Sequence, residues 1–378
     1  MVYIRGMACP FRRLPVSIVA VALFSGLAHG QAFYLTGLGP DGGSSRVTGL
    51  SADGTLAAGY WTGSSVAPGF TWSAGLRNDF GLEPGLPIFT PTAGMSGNGQ
   101  VVVGAGRNFT TNFVAYRWSG PGTYESLGVP SGYDRSWAVA TSNDGSVIAG
   151  RAEFGVTGNI GQAFRWTEGG GYQLLGVTRP GQHGFSQSMG VSRDGSTVVG
   201  ISRGADTQAF IWTTALGMQE LPALPGTGAR STSAFGVNHD GTVVVGQSGF
   251  LSTPTVWRSG VPTDLGTIPD HGGGRMYAAN DAGNVLVGSL NSLNGFSASI
   301  YTESRGLELL SSYLLFHGIT VPAGINLREC TSVSASGNVI AGYTSGSTSQ
   351  GFVVVIPTPA SAGLFAVYIL SIARRRPR

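Results

Sequence analysis

The stretch Asp240-Gly241-Thr242-Val243-Val244-Val245-Gly246 carries the strongest structural signal in the chain. Asp-Gly before a β-branched run is typical of a hairpin turn, because the turn needs a positive φ that glycine adopts without strain. The run that follows is apolar at consecutive positions, which indicates a strand buried on both faces. The segment therefore predicts a tight turn and then an interior strand of a sheet.

This turn and its apolar run recur along the chain at intervals of about 42 to 54 residues. The corresponding turn residues are Asp53-Gly54, Asn98-Gly99, Asp144-Gly145, Asp194-Gly195, Ala282-Gly283 and Ser336-Gly337. Each repeat also contains an aromatic strand, such as Phe164-Arg165-Trp166, a strand ending in Leu-Gly or Leu-Pro, and a strand that leads into the next turn. Four strands of about five residues with their loops match the period of a propeller blade.

The seventh repeat lacks its last strand, whereas the segment 33–39 precedes the first turn and has no repeat of its own. Pairing of this N-terminal strand with the last repeat would complete the sheet and leave only short, protected edges. The sequence thus predicts an all-β protein, a seven-bladed β-propeller over residues 31–355 that is closed by its N-terminal strand. A β-solenoid is the alternative. One helix is expected around Leu309 to Phe316, as an insertion that caps one end of the ring.

Composition supports a glycine-rich, all-β protein and limits the classes of partner. The chain has 378 residues, of which 62 are glycine, and its hydrophobic content of 42% is too high for a disordered chain. All 22 basic residues are arginine, and the 15 that lie between Gln31 and Ala373 face 19 acidic residues. A body with this acidic excess has no basic face for nucleic acid. Cys330 is the one cysteine outside the N-terminal segment, so no disulfide is expected within the body.

The first thirty residues have the pattern of a signal peptide. Arginines precede an apolar stretch from Leu14 to Phe24, and Ala28-His29-Gly30 forms a small-x-small site before Gln31. Cleavage by signal peptidase after Gly30 is expected, and the export route, general secretory or twin-arginine, stays open. The alternative is a buried N-terminal helix.

The C-terminal segment 356–378 also has the pattern of a targeting signal. Pro357-Thr358-Pro359 is followed by an uncharged apolar span and then by Arg374-Arg375-Arg376. This order resembles the PEP-CTERM sorting signal, with Thr358 in place of the family's glutamate. The resemblance implies transient membrane anchoring through the apolar span and processing by an exosortase-type enzyme during export to the cell envelope or the extracellular space. The alternative is a final apolar strand with a basic tail.

The repeats resemble the extracellular HAF repeat. The closest agreement is Thr263-Asp-Leu-Gly-Thr-Ile268 together with Ala278-Ala-Asn-Asp-Ala-Gly-Asn-Val-Leu-Val-Gly288, and Gln162 and Gln208 stand where the family name implies histidine. The resemblance implies a secreted repeat protein of unassigned molecular activity.

Candidate catalytic residues are few. Ser202 lies in a Gly-x-Ser-x-Gly pattern, but the pattern falls at a strand-to-strand turn and a nucleophile elbow needs a strand followed by a helix. The turn aspartates are expected to accept hydrogen bonds from their own backbone. Trp61 and Trp137 stand outside the repeated tryptophan position and are candidates for stacking on a sugar.

The function expected from the sequence is that of an exported, non-enzymatic binding or structural propeller without a cofactor. Its partners would be the two processing enzymes, the membrane and an extracellular polysaccharide. A secreted propeller hydrolase acting on glycans is the alternative, and a matrix protein that assembles with itself is a third reading.

Overall fold

The computed structural model describes residues 33–357 apart from 40–41, 63–68, 81–91, 108–111, 122, 156–159, 179–183, 205, 227–230 and 294. These residues belong to a compact unit that spans Ala32–Arg378, and the preceding unit, Met1–Gln31, lies outside the described residues. The described part of the chain consists of short strands and one helix.

The first half of the strands is β1 (Phe33–Leu35), β2 (Ser44–Leu50), β3 (Ala57–Thr62), β4 (Gly69–Ser73), β5 (Leu76–Asp79), β6 (Thr92–Met95), β7 (Val102–Gly106), β8 (Val114–Trp118), β9 (Tyr124–Gly128), β10 (Arg135–Thr141), β11 (Val147–Phe154), β12 (Ile160–Thr167), β13 (Gly171–Gly176) and β14 (Phe185–Val191). The remaining elements are β15 (Thr197–Arg203), β16 (Thr207–Thr213), β17 (Gly217–Glu220), β18 (Thr232–Val237), β19 (Val243–Ser248), β20 (Thr253–Arg258), β21 (Val261–Asp264), β22 (His271–Ala279), β23 (Val285–Ser292), β24 (Gly295–Thr302), β25 (Gly306–Leu309), α1 (Leu310–Phe316), β26 (Leu327–Val333), β27 (Val339–Thr344) and β28 (Gly351–Val355).

The strands form antiparallel sheets arranged as a β-propeller. Five sheets have four strands each, in the orders β2-β3-β4-β5, β6-β7-β8-β9, β18-β19-β20-β21, β22-β23-β24-β25 and β1-β28-β27-β26. The sixth sheet has eight strands, β10 to β17. Among the described residues, its two antiparallel halves are joined only where β12 and β14 meet in one parallel bridge, between Gly161 and Phe185. The all-β class expected from the sequence is confirmed.

The first strands of the sheets lie innermost and surround a central channel. In the order β2, β6, β10, β14, β18, β22 and β26, each of these inner strands contacts the next, and β26 contacts β2. The second strands, which contain the apolar runs, are buried nearly throughout, as in β7 and β27. Burial on both faces was predicted from their consecutive apolar residues and is confirmed. The core therefore consists of layers packed between neighbouring sheets.

The glycine that ends each apolar run creates room for the aromatic strand beside it. A Cβ on Gly150 would lie 2.7 Å from Cζ of Phe164 and would also overlap the carbonyl oxygen of Trp137. Phe164 is completely buried, and equivalent phenylalanines fill the same place in other sheets. A residue larger than glycine would therefore displace either the inner strand or the aromatic ring.

The N-terminal strand completes the last sheet, as the sequence predicted. β1 pairs antiparallel with β28, with Phe33 opposite Val354 and Leu35 opposite Phe352. The rings of Phe33 and Phe352 stack with centroids 5.9 Å apart, and Phe33 is only 6% exposed. The two ends of the repeat region are thus held together by backbone hydrogen bonds and by aromatic packing.

The expected helix is present as α1, but its position differs from the expected cap. α1 packs on β24 and β25, the two outer strands of their sheet. Its buried residues Leu310 and Leu314 join an apolar cluster with Ile300 and Phe352, so the helix fills space between two neighbouring sheets. The apolar i, i+4 spacing identified the helix but not the surface on which it packs. Within the residues that the structure describes, no helix is long and apolar enough to cross a membrane.

Candidate functional site

A repeated polar clamp holds the turns at one end of the inner strands. In the third repeat, Asp144 Oδ1 accepts hydrogen bonds from the backbone N–H of Ser146 at 3.0 Å and from the hydroxyl of Ser142 at 2.7 Å. Ser142 Oγ in turn accepts the N–H of Val147 at 3.0 Å. Donation by Ser146 and Ser142 lowers the pKa of Asp144 to about 2. The predicted local role of the turn aspartates is confirmed.

The same clamp serves every repeat, with serine or asparagine as the acceptor of the N–H five residues ahead. The acceptors are Ser51, Ser96, Ser142, Ser192, Asn238, Asn280 and Ser334. Backbone bonds also join one turn to the next, for example from Asn98 N–H to the carbonyl of Asn143 and from Ala335 N–H to the carbonyl of Ala52. Between the fifth and sixth turns, the Asn238 side chain donates to the Asp281 carbonyl at 3.1 Å.

A β-bulge in every inner strand aims one side chain at the channel. The register of β22 shifts between Met276 and Ala278, so Tyr277 is the extra residue, and the other inner strands shift at the same place relative to their turns. The bulged residues are Thr48, Ala93, Val139, Met189, Phe235, Tyr277 and Thr331. All are partly exposed, and each follows a buried residue. Because a bulge bends the strand and re-aims a side chain, these residues line the channel.

One arginine crosses the turn end of this channel. Arg193 Nε lies 2.9 Å from Asp281 Oδ1, and Nη2 donates to the carbonyl oxygen of Val333 at 3.4 Å. Arg193 follows β14, whereas Asp281 follows β22 and Val333 ends β26, and neither β22 nor β26 is adjacent to β14 in the ring. The side chain therefore extends across the channel. Burial lowers the pKa of Arg193, and the Asp281 carboxylate opposes that shift.

A connected polar and aromatic group lies on the inner strands farther from the turns than Arg193, with Arg46, Arg275 and Glu329 each eight residues before its turn glycine. We call it the mouth cluster. It consists of Arg46, Arg275, Tyr277, Arg328, Glu329 and Tyr343.

Cross-strand pairing and ring contacts join the members of the mouth cluster. Glu329 pairs with Tyr343 between β26 and β27, and the guanidinium carbon of Arg46 lies 4.6 Å from the Tyr343 ring centroid. Arg328 Nε is 3.7 Å from Glu329 Oε1. Strands from three different sheets thus contribute to one group of side chains.

Two phenylalanines, Phe296 and Phe235, lie beside the mouth cluster and contact its side chains. Arg275 lies 5.6 Å from the ring centroid of Phe296, and Arg328 lies 5.1 Å from the same centroid. The Phe235 ring is 5.4 Å from that of Tyr277. Such contacts fix the arginines through their planar faces and leave the edges, where the N–H groups point, available for other partners.

The tyrosines of the cluster are held in the protonated form. Burial, reinforced by the negative charge of Glu329, raises the pKa of Tyr277 to about 12, and the same two causes raise the pKa of Tyr343. Both hydroxyls therefore keep their protons at neutral pH. Glu329 is only 14% exposed and is the single carboxylate of the cluster. Both tyrosine hydroxyls donate to Glu329, so the guanidinium groups are the donors that the group offers to a polar ligand.

The two tryptophans that the sequence singled out differ in how exposed they are. Trp61 is 3% exposed, with the Phe70 ring stacked 5.7 Å away and Arg77 4.5 Å from its centroid, so it cannot stack on a sugar. Trp137 is partly exposed on inner strand β10, and Arg151 lies 4.5 Å from its ring centroid. Trp137 therefore stays a candidate contact at the channel.

The remaining candidate residues are structural or lie outside the described residues. Ser202 is 2% exposed and accepts a hydrogen bond from the Thr178 N–H at 3.1 Å, so it is not placed as an exposed nucleophile. Cys330 is a buried free thiol. Pro357 is described and exposed. The expected processing residues outside the described part are Ala28, Gly30, Gln31, Thr358, Pro359, Arg374, Arg375 and Arg376. No cluster of three or more metal-ligating side chains occurs among the described residues.

Sequence reasoning missed the mouth cluster, although a signal for it exists. Arg46, Arg275 and Glu329 each stand eight residues before their turn glycine, and Trp137 holds the equivalent place in the third repeat. A charged residue at an inner-strand position is costly to bury and therefore indicates a position with a specific partner or ligand. Alignment of the repeats on their turn glycines would have placed these side chains at one level of the ring.

Comparison with known proteins supports the fold and leaves the activity open. No family model matches the chain, and no curated protein matches it. The chain is similar to oligogalacturonate lyase from Vibrio parahaemolyticus, with 10% identity, a TM-score of 0.52 and coverage of 86% of this chain and 96% of that one. It is also similar to a prolyl endopeptidase, with 12% identity and a TM-score of 0.53. That match covers 84% of this chain but only 51% of the peptidase.

TolB from Acinetobacter baumannii matches with 16% identity and a TM-score of 0.42, and the match covers 58% of this chain and 55% of TolB. At identities of 10% and 12%, the matches to the lyase and the endopeptidase show the fold alone.

Proposed function

We propose that the protein is an exported β-propeller that binds a polysaccharide at its channel mouth and does not transform it. The mouth cluster carries this proposal, because it gathers donors and aromatic rings from several sheets on rigid strands. Arg193 crosses the other end of the channel, so a ligand would enter at the mouth. The cluster has one carboxylate, Glu329, whereas most glycoside hydrolases use a pair of carboxylates. A tyrosine with a pKa near 12 is likewise a poor general base.

A glycan-binding screen of the full chain tests this function. We expect retention on at least one polysaccharide, without release of shorter sugars over a day. Arg275→Gln should abolish retention, and Arg258→Gln, which alters an arginine paired with Glu303 at 3.1 Å outside the cluster, should not. Release of reducing ends or unsaturated sugars would favour the enzymatic alternative instead.

We also propose seven blades. The eight-stranded sheet then counts as two blades, because in the part of the chain that the structure describes its halves share only the Gly161–Phe185 bridge. The seven clamped turns and the seven inner strands support this count. Class averages from electron microscopy viewed along the channel should show seven lobes, and six lobes would contradict the proposal.

Export and tail processing are proposed on the sequence pattern alone. Intact-mass spectrometry of the protein recovered from the cell envelope and the medium tests both steps. A mass that begins at Gln31 and ends near Thr358 or Pro359 would support signal cleavage and exosortase-type processing. A mass that retains Arg374 to Arg376 would contradict processing of the tail.

A further inference from the structure

The three arginines of the mouth cluster have unused donors. The Nε atoms of Arg46, Arg275 and Arg328 are buried and have no hydrogen-bond partner among the described residues. No carboxylate of the described part lies within ion-pair distance of Arg46 or Arg275, and Arg328 reaches Glu329 only at 3.7 Å. The Nε atoms of arginines elsewhere, such as Arg135, are also unpaired, so this feature alone does not distinguish the cluster. The side chains of Arg46, Arg275 and Arg328 are partly exposed, so a ligand would reach their guanidinium groups from solvent.

The charge of the cluster indicates the kind of partner. Three guanidinium groups face the single carboxylate of Glu329, which leaves an excess of positive charge in a body whose overall balance is acidic. The Phe296 ring holds Arg275 and Arg328 by their faces, so their N–H edges are oriented before a ligand arrives. Pre-oriented guanidinium groups bind carboxylate and sulfate oxygens through paired hydrogen bonds.

We propose that the mouth cluster binds an anionic glycan, with Arg46, Arg275 and Arg328 contacting its carboxylate or sulfate groups. The Tyr277 and Tyr343 hydroxyls donate to Glu329, so this carboxylate is held by the tyrosines and the arginines carry the contact to the anion. The inference rests on the proposed binding function and adds the charge of the ligand to it.

The test measures binding of three polysaccharides to the full chain by calorimetry at low and moderate salt. The probes are polygalacturonate, which is carboxylated, dextran sulfate, and neutral dextran. We expect at least one anionic probe to bind at least tenfold more tightly than neutral dextran, and to weaken as salt increases. The comparison of the carboxylated and sulfated probes identifies which anion the site takes.

Variants connect the binding to the cluster. Arg46→Gln and Arg275→Gln should each weaken the anionic probe about tenfold or more, as loss of a charge-assisted bidentate contact does. Arg46→Lys keeps the charge but not the planar fork, and it should recover only part of the affinity. Arg258→Gln is the matched control. Thermal unfolding of each variant shows whether the fold is retained, and Arg46→Lys keeps the test informative if the glutamine variants unfold.

The outcomes separate the two proposals. Neutral dextran bound as tightly as the anionic probes would overturn the anionic-glycan inference and leave the binding function standing. Anionic binding that is unchanged in Arg46→Gln, Arg46→Lys and Arg275→Gln would also overturn it. Failure of all three probes to bind a folded chain would count against both.

Discussion

A Cβ placed on Gly54 would lie 2.5 Å from Cγ2 of Val339, so the first turn of the chain packs directly on its last apolar run. Gly54 has a φ of +73°, a conformation that other residues rarely adopt. Each later turn glycine meets a side chain of the preceding repeat in the same way, as Gly99 meets Leu56 and Gly145 meets Val101. The contact between Gly54 and Val339 therefore joins the first repeat to the last in the same way that each other repeat is joined to the one before it.

The first prediction follows from this contact. Gly54→Ala should lower the free energy of unfolding by about 2–4 kcal/mol, because it adds left-handed strain and overlap with Val339. Gly75→Ala is the control, since Gly75 has a φ of +88° but no heavy atom near its Cβ position, and it should cost only about 1 kcal/mol.

Urea unfolding measures both variants. The Gly54→Ala/Val339→Ala double variant should lose about 0.5 kcal/mol less than the sum of the single variants, because Cγ2 at 2.5 Å is removed while the Val339 Cβ at 2.6 Å keeps part of the overlap. Equal losses in Gly54→Ala and Gly75→Ala would show that the turn does not pack on Val339.

The second prediction concerns pH. Interactions with Ser146 and Ser142 lower the pKa of Asp144 to about 2, and the pKa values of Asp53, Asp194 and Asp240 are also lowered. A carboxylate with a depressed native pKa stabilises the fold above its unfolded pKa of about 4, and that contribution is lost as pH falls toward the native value. The thermal midpoint should therefore fall between pH 4 and about pH 2.

Asp144→Asn tests the origin of this effect. Asn98 occupies the equivalent position of the second turn and accepts the Gln100 N–H at 3.0 Å, so asparagine preserves the turn. The variant should lose less than about 1 kcal/mol at pH 7, since the carboxylate is solvent-exposed. It should also be less sensitive to acid than the unaltered protein. Identical acid curves for the two proteins would refute the assignment.

The third prediction concerns the arginine that crosses the channel. Asp281→Asn should cost about 1–3 kcal/mol, because it leaves the largely buried Arg193 without its opposite charge. Glu303→Gln removes the partner of Arg258 in an exposed pair of similar distance and should cost less than about 1 kcal/mol. Chemical unfolding compares them, and a larger loss for Glu303→Gln would be inconsistent with a buried contact across the channel.

The fourth prediction uses Cys330 as a probe of global opening. The side chain is completely buried, and burial raises the pKa of its thiol. Since the thiolate is the reactive form, a Cys9→Ser variant should react with a thiol reagent at least about 100-fold more slowly in buffer than in urea. Cys330→Ala in the same background gives the blank. Rapid stoichiometric modification of the native protein would place the β26 region in a more open state.

The sequence predicted the parts of the fold that depend on local chemistry. Asp-Gly turns, consecutive apolar runs and the N-terminal strand all depend on residue types that repeat, and the pairing of Phe33 with Val354 follows from the one missing strand. The packing of Leu310 and Leu314 against two sheets was not predictable, because apolar spacing shows that a helix has a buried face but does not identify its partner.

The candidate site was harder to predict for a related reason. Arg46, Arg275 and Glu329 are unlike one another and lie far apart in the chain, so neither composition nor a local motif connects them. The position of a β-bulge such as the one at Tyr277 depends on how two strands pair, and no particular residue type marks it in the sequence. Only the arrangement of the sheets brings these side chains to one mouth.

The pairing of β1 with β28 also determines when folding of the repeat region can be completed. During synthesis β1 is made before the other strands, whereas its partner β28 is the last strand of the repeats. β1 therefore cannot pair until the rest of the repeat region has been synthesised. Until then Phe33 is without Phe352, and the last sheet has an open edge that could join a neighbouring molecule. A chain that stops before residue 351 would lack β28 and would keep that edge exposed.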